Sequence, residues 1–307
     1  MSSPRQTLSY LQDKFRRAGL LPQIRFGQNF LIDLNLIDLI MRTADLTAKD
    51  VVLEVGTGMG SLTTRMALFA GSVITVEIDP MLAKLAQQEL APFGNVTMLQ
   101  RDALRNKNNL HDDVLQAVRD KMRDVPGCRF KLVANLPYNV ATPIISNLLL
   151  TEPLVDKMVV TIQKELAERI AAKPKTKDYS ALSIWIQSQC DVEIVRTMPP
   201  DVFWPRPKVD SAILSITPNA LLRSRIADLE YFHETVRALF FHRRKFLRGV
   251  VISAMKDKLS KEKVDQILAE AKLEGNSRAE ELPIEQIIDL TERLRMAEAA
   301  ENAKLDS

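Results

Sequence analysis

Cysteine is scarce in this sequence, with two residues, Cys128 and Cys190, among 307. Neither belongs to a C-x-x-C pair, so the sequence indicates no zinc site and no disulfide framework. A chain that manages without disulfides is typical of a reducing compartment. We therefore expect a cytoplasmic protein without a metal.

Long apolar runs are also missing. None reaches the roughly 18 residues that a membrane-spanning helix needs, and the first 21 residues lack the apolar core of a signal peptide. Hydrophobic residues make up 46% of the chain and charged residues 26%, as in an ordinary globular protein. We expect no membrane partner.

Neither sign of charge dominates, because the net charge is +3. The distribution is uneven, however. Residues 223–261 carry ten Lys or Arg against four Asp or Glu, whereas residues 262–307 carry six against twelve. A basic segment is therefore followed by an acidic tail.

Short β-branched runs alternate with helix-compatible segments between residues 51 and 217. Runs that are apolar almost throughout predict strands buried on both faces, at residues 51–56, 72–79, 95–102, 131–137 and 157–163. The alternation predicts a parallel sheet with right-handed crossovers, and residues 191–198 and 210–217 predict a further strand pair at its edge.

The pattern changes near residues 218–228, after which helical spacing dominates. We predict an N-terminal extension at 1–24, an α/β domain at 25–220 and a helical domain at 221–307. The extension should contain a polar helix, and the long connection at 103–130 an amphipathic one.

Glycines follow the first strand, in E-V-G-T-G-M-G at residues 54–60. Glycine lets the backbone turn sharply and approach a ligand. The third glycine comes one residue earlier than in the G-x-G-x-x-G fingerprint, which disfavours a hydride-transfer enzyme. Glu54 suits a ligand with an ammonium and a sulfonium group better than a pyrophosphate. The alternative is a tight strand–helix turn without a ligand.

Two acids end the next two strands. Glu77 comes 21 residues after Gly56, where a carboxylate can accept both hydroxyls of a ribose. Asp102 ends the third strand, within reach of an adenine amine. Either acid alone could be a solvated strand end. Together with the glycines they indicate an adenosine-bearing cofactor at the carboxyl edge of the sheet, and S-adenosylmethionine fits best.

The fourth strand runs into Asn135-Leu136-Pro137-Tyr138. An adenine N6 amine is a poor nucleophile because its lone pair is delocalised into the ring. The Asn135 amide oxygen and the Leu136 carbonyl could draw that nitrogen towards tetrahedral geometry. Pro137 would fix the carbonyl and Tyr138 would stack on the base. The alternative is a helix-capping Asn and a core Tyr. Pyrimidine C5 methylation would need a nucleophilic cysteine, and neither cysteine lies at such a strand-edge loop.

Seven motifs in order resemble the KsgA/RsmA family of ribosomal RNA adenine dimethyltransferases over about residues 20–295: RFGQNFL (25–31), EVGTGMG, VEID, RDAL, NLPYNVATP, VFWPRPKVDS (202–211) and FFHRRKFLR (240–248). The resemblance implies a Rossmann-like S-adenosylmethionine-dependent methyltransferase sheet, mostly parallel with an antiparallel edge pair, plus a small all-helical C-terminal domain. It also implies dimethylation of two adjacent adenosines near the 3′ end of 16S ribosomal RNA in the small subunit or its precursor, by a monomer.

By position, the resemblance implies that the cofactor contacts Asn29, Leu31, Gly56, Glu77, Asp102 and Asn135. The segment with Asn29 and Leu31 should fold over the cofactor, although composition alone predicts an amphipathic helix start there. Phe203 is a candidate second wall of the base pocket, with a core aromatic beside Trp204 as the alternative.

A basic cluster in the helical region comprises Arg243, Arg244, Lys245 and Arg248. We expect it to contact RNA phosphates, with specificity from the shape of the RNA; the alternative is a solvated helix face. Two rival functions remain open, an adenine methyltransferase of large-subunit RNA and a non-catalytic RNA-binding or transcription factor on the same scaffold. The first rival differs in the helical domain, and the intact Asn-Leu-Pro-Tyr argues against the second.

Overall fold

The computed structural model describes residues 7–23, 26–125, 127–242 and 245–305. Eleven strands lie within these ranges, namely β1 (Phe30–Leu31), β2 (Asp50–Val55), β3 (Ser72–Glu77), β4 (Val96–Gln100), β5 (Leu104–Asn106), β6 (Asn109–Leu110), β7 (Arg129–Asn135), β8 (Lys157–Gln163), β9 (Cys190–Met198), β10 (Phe203–Trp204) and β11 (Ser211–Pro218).

The α-helices in the same ranges are α1 (Leu8–Ala18), α2 (Leu34–Ala44), α3 (Ser61–Ala67), α4 (Pro80–Leu90), α5 (Asp112–Arg123), α6 (Ala141–Leu148), α7 (Lys164–Ile170), α8 (Ala181–Gln187), α9 (Ala220–Arg223), α10 (Leu229–Phe240), α11 (Leu247–Ala254), α12 (Lys261–Glu270) and α13 (Ile284–Leu305).

A seven-stranded sheet organises the α/β part, in the order β4-β3-β2-β7-β8-β11-β9. The first five strands of that order pair in parallel, and β11 runs antiparallel to β8. All six residues of β2 are buried, as expected for a strand covered on both faces. The predicted fold class, a mostly parallel sheet with an antiparallel edge and a helical C-terminal region, is confirmed.

The segment before the first long strand does not have the secondary structure that its composition suggests. Residues 30 and 31 form a short strand that pairs with β10, so that Phe30 lies opposite Trp204 and Leu31 opposite Phe203. The helix start suggested by composition is therefore wrong for these residues, because pairing with a distant strand outweighs local propensity. Arg25 of the same motif lies outside the described residues.

The connection at 103–130 holds the β5–β6 hairpin and α5. Val114 and Val118, one helical turn apart, are fully buried on α5. The predicted amphipathic helix is confirmed, since an i, i+4 apolar pair on one face is what such a helix buries.

The predicted N-terminal helix is α1, which begins after Thr7 and ends at Ala18, followed by Gly19 in the left-handed conformation. Its Leu11 and Phe15 are buried in a cluster with Met59 and Leu82. The Phe15 ring meets the ring of Trp204 edge-on, at 5.0 Å between centroids. This helix therefore packs directly on the loop that follows β2.

Contacts among the described residues divide the chain into two compact units. The first comprises residues 1–167 and 193–217, and the second 168–192 and 218–307. In the second unit, Trp185 is buried against Phe232 and His233, with ring centroids 6.4 and 4.4 Å away. Residues 168–192 thus belong with the helical region, while the domain limits predicted above stay a prediction.

Among the described helices, none combines the length and the apolar composition that crossing a bilayer requires.

Candidate active site

A cavity opens at the carboxyl edge of the parallel strands, where sites of such sheets are found. Most of the residues predicted for cofactor and base line it, namely Asn29, Leu31, Gly56, Glu77, Asp102, Asn135, Leu136, Pro137 and Tyr138. They come together because β2, β3, β4 and β7 all end at this edge.

The glycine loop passes close to two neighbouring segments. Gly56 and Gly58 both have a positive φ, 89° and 56°. A Cβ atom on Gly56 would lie 3.2 Å from Pro137 Cδ, and one on Gly58 would lie 3.0 Å from the Phe30 ring. Both the conformation and the space therefore require glycine at these positions.

Glu77 is buried at the end of β3, with 4% of its surface exposed. Its Oε2 accepts the Gly58 N–H at 2.8 Å, and its Oε1 accepts the Asp79 N–H at 2.9 Å. Burial raises the pKa of this carboxyl, while the N–H donors of Asp79 and Gly58 oppose the rise. The carboxylate is thus held rigidly at the cavity wall, and each oxygen keeps capacity to accept from a ligand.

Two side chains that the sequence did not single out support this wall. Asp79 is buried, and its Oδ2 accepts a hydrogen bond from Gln28 Nε2 at 2.9 Å. This contact ties the segment before β1 to the start of α4. Both residues lie within quoted motifs, RFGQNFL and VEID, so motif membership was the signal that could have indicated them.

Glu54 also lines the cavity, but its carboxyl group is hydrogen-bonded to threonine side chains beneath the glycine loop. Its Oε2 accepts hydrogen bonds from the hydroxyls of Thr63 and Thr75, at 2.5 and 2.6 Å. The Thr75 hydroxyl lies 2.6 Å from that of Thr57 in the glycine loop. Burial raises the pKa of Glu54 to about 8. Its expected role toward a positively charged ligand stays a prediction.

Asp102 is exposed just after β4, and its Oδ1 accepts the Leu104 N–H at 2.9 Å. Arg101 also lines the cavity, pairs with Asp113 and lies 2.7 Å from His111 Nε2. Its position next to Asp102 in the R-D-A-L motif was the only sequence signal for it.

The Asn-Leu-Pro-Tyr segment is fixed by contacts to distant parts of the chain. Asn135 Nδ2 donates to the Asn29 carbonyl at 2.7 Å, so the acceptor that this side chain offers a ligand is Oδ1. The Leu136 N–H donates to the Thr161 carbonyl of β8 at 3.1 Å. Asn135 does not cap α6, whose N-cap is Val140, which removes the capping alternative.

Tyr138 is half-buried, and its hydroxyl lies 2.6 Å from Ser211 Oγ. Burial raises the pKa of Tyr138, so the phenol is neutral at physiological pH. Ser211 was not predicted as a site residue, although it ends the VFWPRPKVDS motif. It anchors the ring from 73 positions away in the sequence.

Phe203 does not line this cavity. Its side chain is 1% exposed and packs in the core with Leu31, Met198 and Ile213. It is not among the described residues that line the cavity. The structure therefore places this ring in the core, and its role as a pocket wall stays a prediction.

The predicted basic cluster is described only in part. Arg243 and Arg244 lie outside the described residues, and Lys245 is exposed. Arg248, on α11, forms a bidentate pair with Asp265 of α12, at 2.6 Å and 2.8 Å. A phosphate would have to compete with Asp265 for this guanidinium.

The part of the chain that the structure describes contains no group of three or more His, Cys, Asp or Glu side chains suited to a metal ion.

The sequence model of the family described as "Ribosomal RNA adenine dimethylase" matches residues 21–296. This chain belongs to that family. "Ribosomal RNA small subunit methyltransferase A" of Lactococcus lactis is 37% identical over 283 residues, which cover 92% of this chain and 93% of that protein. The protein of the same name from Geobacillus is 38% identical over 88% of this chain and 90% of its own length.

Solved structures agree with the fold. A dimethyladenosine transferase from Plasmodium falciparum has a TM-score of 0.73 at 23% identity, over 87% of this chain and 98% of its own. The 23S rRNA methyltransferase ErmE has a TM-score of 0.60 at 28% identity, over 87% and 99%. The relatives named for the small subunit are thus more similar in sequence to this chain than the enzyme named for the large subunit. This favours dimethylation of small-subunit RNA over methylation of large-subunit RNA.

Proposed function

We propose that this member of the ribosomal RNA adenine dimethylase family transfers methyl groups from S-adenosylmethionine to the N6 amines of two adjacent adenosines near the 3′ end of 16S ribosomal RNA, during biogenesis of the small subunit. The observation that carries the proposal is the cavity itself. Asn135, with its amide nitrogen already committed to Asn29, lies there beside the glycine loop and Glu77.

The cavity walls fit S-adenosylmethionine. Gly56 and Gly58 line the cavity without side chains, and Glu77 offers a fixed carboxylate for the ribose hydroxyls. Asp102 provides an acceptor for the adenine amine, and the segment with Asn29 and Leu31 closes the wall. When bound, this cofactor supplies an electrophilic methyl group on a positively charged sulfur.

Asn135 and Leu136 prepare the substrate amine. The Oδ1 atom of Asn135 and the Leu136 carbonyl accept the two N6 hydrogens, which draws the nitrogen out of conjugation and exposes its lone pair. The hydrogen bond to Asn29 holds the Asn135 amide before the base arrives, and the hydrogen bond from the Leu136 N–H to Thr161 holds the backbone at Leu136. This preorganisation lowers the barrier because no reorientation is needed during the reaction.

Tyr138 presents a ring to the substrate base. Its hydroxyl contact with Ser211 fixes the ring orientation from the far end. A fixed aromatic face stacks on a flat base at little cost in side-chain entropy. The alkylated nitrogen is positively charged and strongly acidic, so it loses its extra proton without a strong protein base.

The test is methyl transfer by purified protein from labelled S-adenosylmethionine to undermethylated small subunits, with the label mapped on the RNA. We expect label at the N6 atoms of two adjacent adenosines near the 3′ end. Asn135→Ala should suppress both transfers, while Asn108→Ala, at an exposed site away from the cavity, should not. Label on large-subunit RNA alone, or on pyrimidine carbons, would overturn the proposal.

A further inference from the structure

Three phenylalanines are exposed in the described part of the chain: Phe69, Phe241 and Phe246. Two of them flank the run from His242 to Lys245 at the centre of the basic segment. Phe241 is the most exposed of the three, at 79%. Leaving so much apolar surface in water is unfavourable, and this ring shares its groove with further apolar side chains, as an exposed binding surface does.

Phe241 follows α10 and lines a groove between α10 and α11. Apolar atoms of Val250 and Ala238 lie in the same groove, together with polar groups of Arg237 and Ser253. The imidazole of His242 meets the Phe241 ring edge-on, at 4.9 Å between centroids and 80° between planes. That contact leaves a face of the ring open to a flat partner.

We propose that Phe241 is a stacking platform for an unpaired nucleobase of the substrate RNA, which occupies the groove between α10 and α11; this rests on the proposed function. Base–aromatic stacking works with any base because every base has a π-face. Arg237 and Ser253 can hydrogen bond to the edge of the base, and Glu234, which also lines the groove, can accept from a base amine.

The positive charge of the segment around the groove favours RNA over an apolar protein partner. The groove lies in the segment 223–261, which holds ten Lys or Arg against four Asp or Glu. Arg237 lines the groove and Lys245 is exposed, so both are available to phosphates beside a stacked base. A protein partner would instead need an acidic surface with an apolar centre, and the experiment separates the two.

The experiment measures binding to protein-free 16S ribosomal RNA and to undermethylated small subunits as a function of salt. The variants are Phe241→Ala, Phe241→Leu and Phe241→Trp, with Phe69→Ala as the matched control because Phe69 is exposed at 56% in the other unit. Circular dichroism establishes that each variant is folded.

Phe241→Ala should weaken binding to both probes by about 5- to 150-fold, as expected for loss of one stacked base, without changing the salt slope. Phe241→Trp should restore affinity, Phe241→Leu should not, and Phe69→Ala should bind like wild type. Wild-type affinity of Phe241→Ala, rescue by Leu, or a loss seen only with small subunits would each overturn the inference.

Methyl transfer by the wild-type protein to the same subunits is recorded in parallel. A wild type that methylates them while Phe241→Ala binds normally overturns this inference alone. A wild type that transfers no methyl group to them overturns the proposed function instead.

Discussion

Glu54 and Glu77 are two buried carboxyl groups at one sheet edge that accept hydrogen bonds from different kinds of donor. Threonine hydroxyls donate to Glu54, whereas backbone N–H groups donate to Glu77. Burial raises the pKa of both. Glu54 is enclosed beneath the glycine loop, so we expect its environment to affect stability, whereas we expect Glu77 to affect ligand binding.

At Glu77 we predict that Glu77→Gln weakens S-adenosylmethionine binding by about 10- to 150-fold, because a hydrogen bond to a charged group contributes roughly 1.5–3 kcal/mol. The amide keeps the volume and one acceptor but loses the charge. Isothermal titration calorimetry checks this, with the exposed Glu193→Gln as control. Unchanged affinity in a folded Glu77→Gln would remove Glu77 from the cofactor site.

At Glu54 we predict a pH-dependent stability. Its pKa in the folded protein is about 8, above the usual value of 4.5, so the folded state holds the proton more tightly than the unfolded chain. The free energy of unfolding should therefore fall as the pH rises from about 4.5 to 8. Glu54→Gln cannot ionise and should lack this loss, on the order of a few kcal/mol.

Denaturant titrations of wild type and Glu54→Gln at several pH values give the difference between their free energies of unfolding. The contributions of the other ionisable groups cancel in this difference. A difference that does not change between pH 5 and pH 8 would contradict the raised pKa.

Variants of Phe203 can distinguish a role in core packing from a role in the base pocket. Because its ring is buried with Leu31 and Ile213, Phe203→Ala should lower the free energy of unfolding by about 3–5 kcal/mol. Phe203→Leu should cost less, and if the ring only packs in the core, the two methyl transfers keep their relative rates. If monomethyladenosine instead accumulates with Phe203→Leu, seen by mass spectrometry of digested RNA over time, the ring acts as a wall of the base pocket.

Among the elements, α1 packs between the cavity at the sheet edge and α4 of the first unit. Leu11 lines the cavity, and Glu89 of α4 accepts from Tyr10 at 2.6 Å and pairs with Lys14 at 2.7 Å. The helix therefore rests on both the glycine loop and α4. Packing of one amphipathic face stabilises such a short helix more than propensity does.

We predict that Phe15→Ala lowers the free energy of unfolding by about 3–5 kcal/mol and weakens cofactor binding, because Met59 of the glycine loop loses its packing partner. Leu21→Ala is the control, since Leu21 is 82% exposed. Denaturation and calorimetry on the same samples check both effects. Loss of stability with normal cofactor affinity would show that α1 does not shape the cavity.

Across the whole molecule, the small net charge of +3 conceals a basic segment and an acidic tail. Long-range attraction of RNA depends on this local distribution more than on the net value. In the described part of that segment, the two members of the predicted cluster, Lys245 and Arg248, are both exposed, and Arg248 is paired with Asp265.

Replacing Arg243, Arg244 and Lys245 together with Ala should weaken RNA binding and flatten its salt dependence by up to about 0.9 log units per lost duplex phosphate contact. Cofactor affinity should not change. Filter binding at several salt concentrations checks this.

A matched triple variant, Lys49→Ala, Lys84→Ala and Lys107→Ala, removes three exposed cations outside the basic segment. If both triple variants change the salt slope alike, the predicted cluster has no special role in RNA binding.

Local sequence determined the strands of the central sheet, the glycine loop and the position of the site at the sheet edge. Continuous apolar runs specify strands buried on both faces, and the residue that follows such a strand must lie at the carboxyl edge. Glu77, Asp102 and Asn135 could therefore be placed in one cavity without coordinates.

Tertiary structure alone decided which partner each side chain takes. Tyr138 meets Ser211 across 73 positions, and Asn135 meets Asn29 across 106. Burial of Phe203 likewise depends on pairing between β1 and β10. Such contacts join segments distant in the chain, and no local periodicity encodes them, because they depend on how the whole sheet and its loops pack.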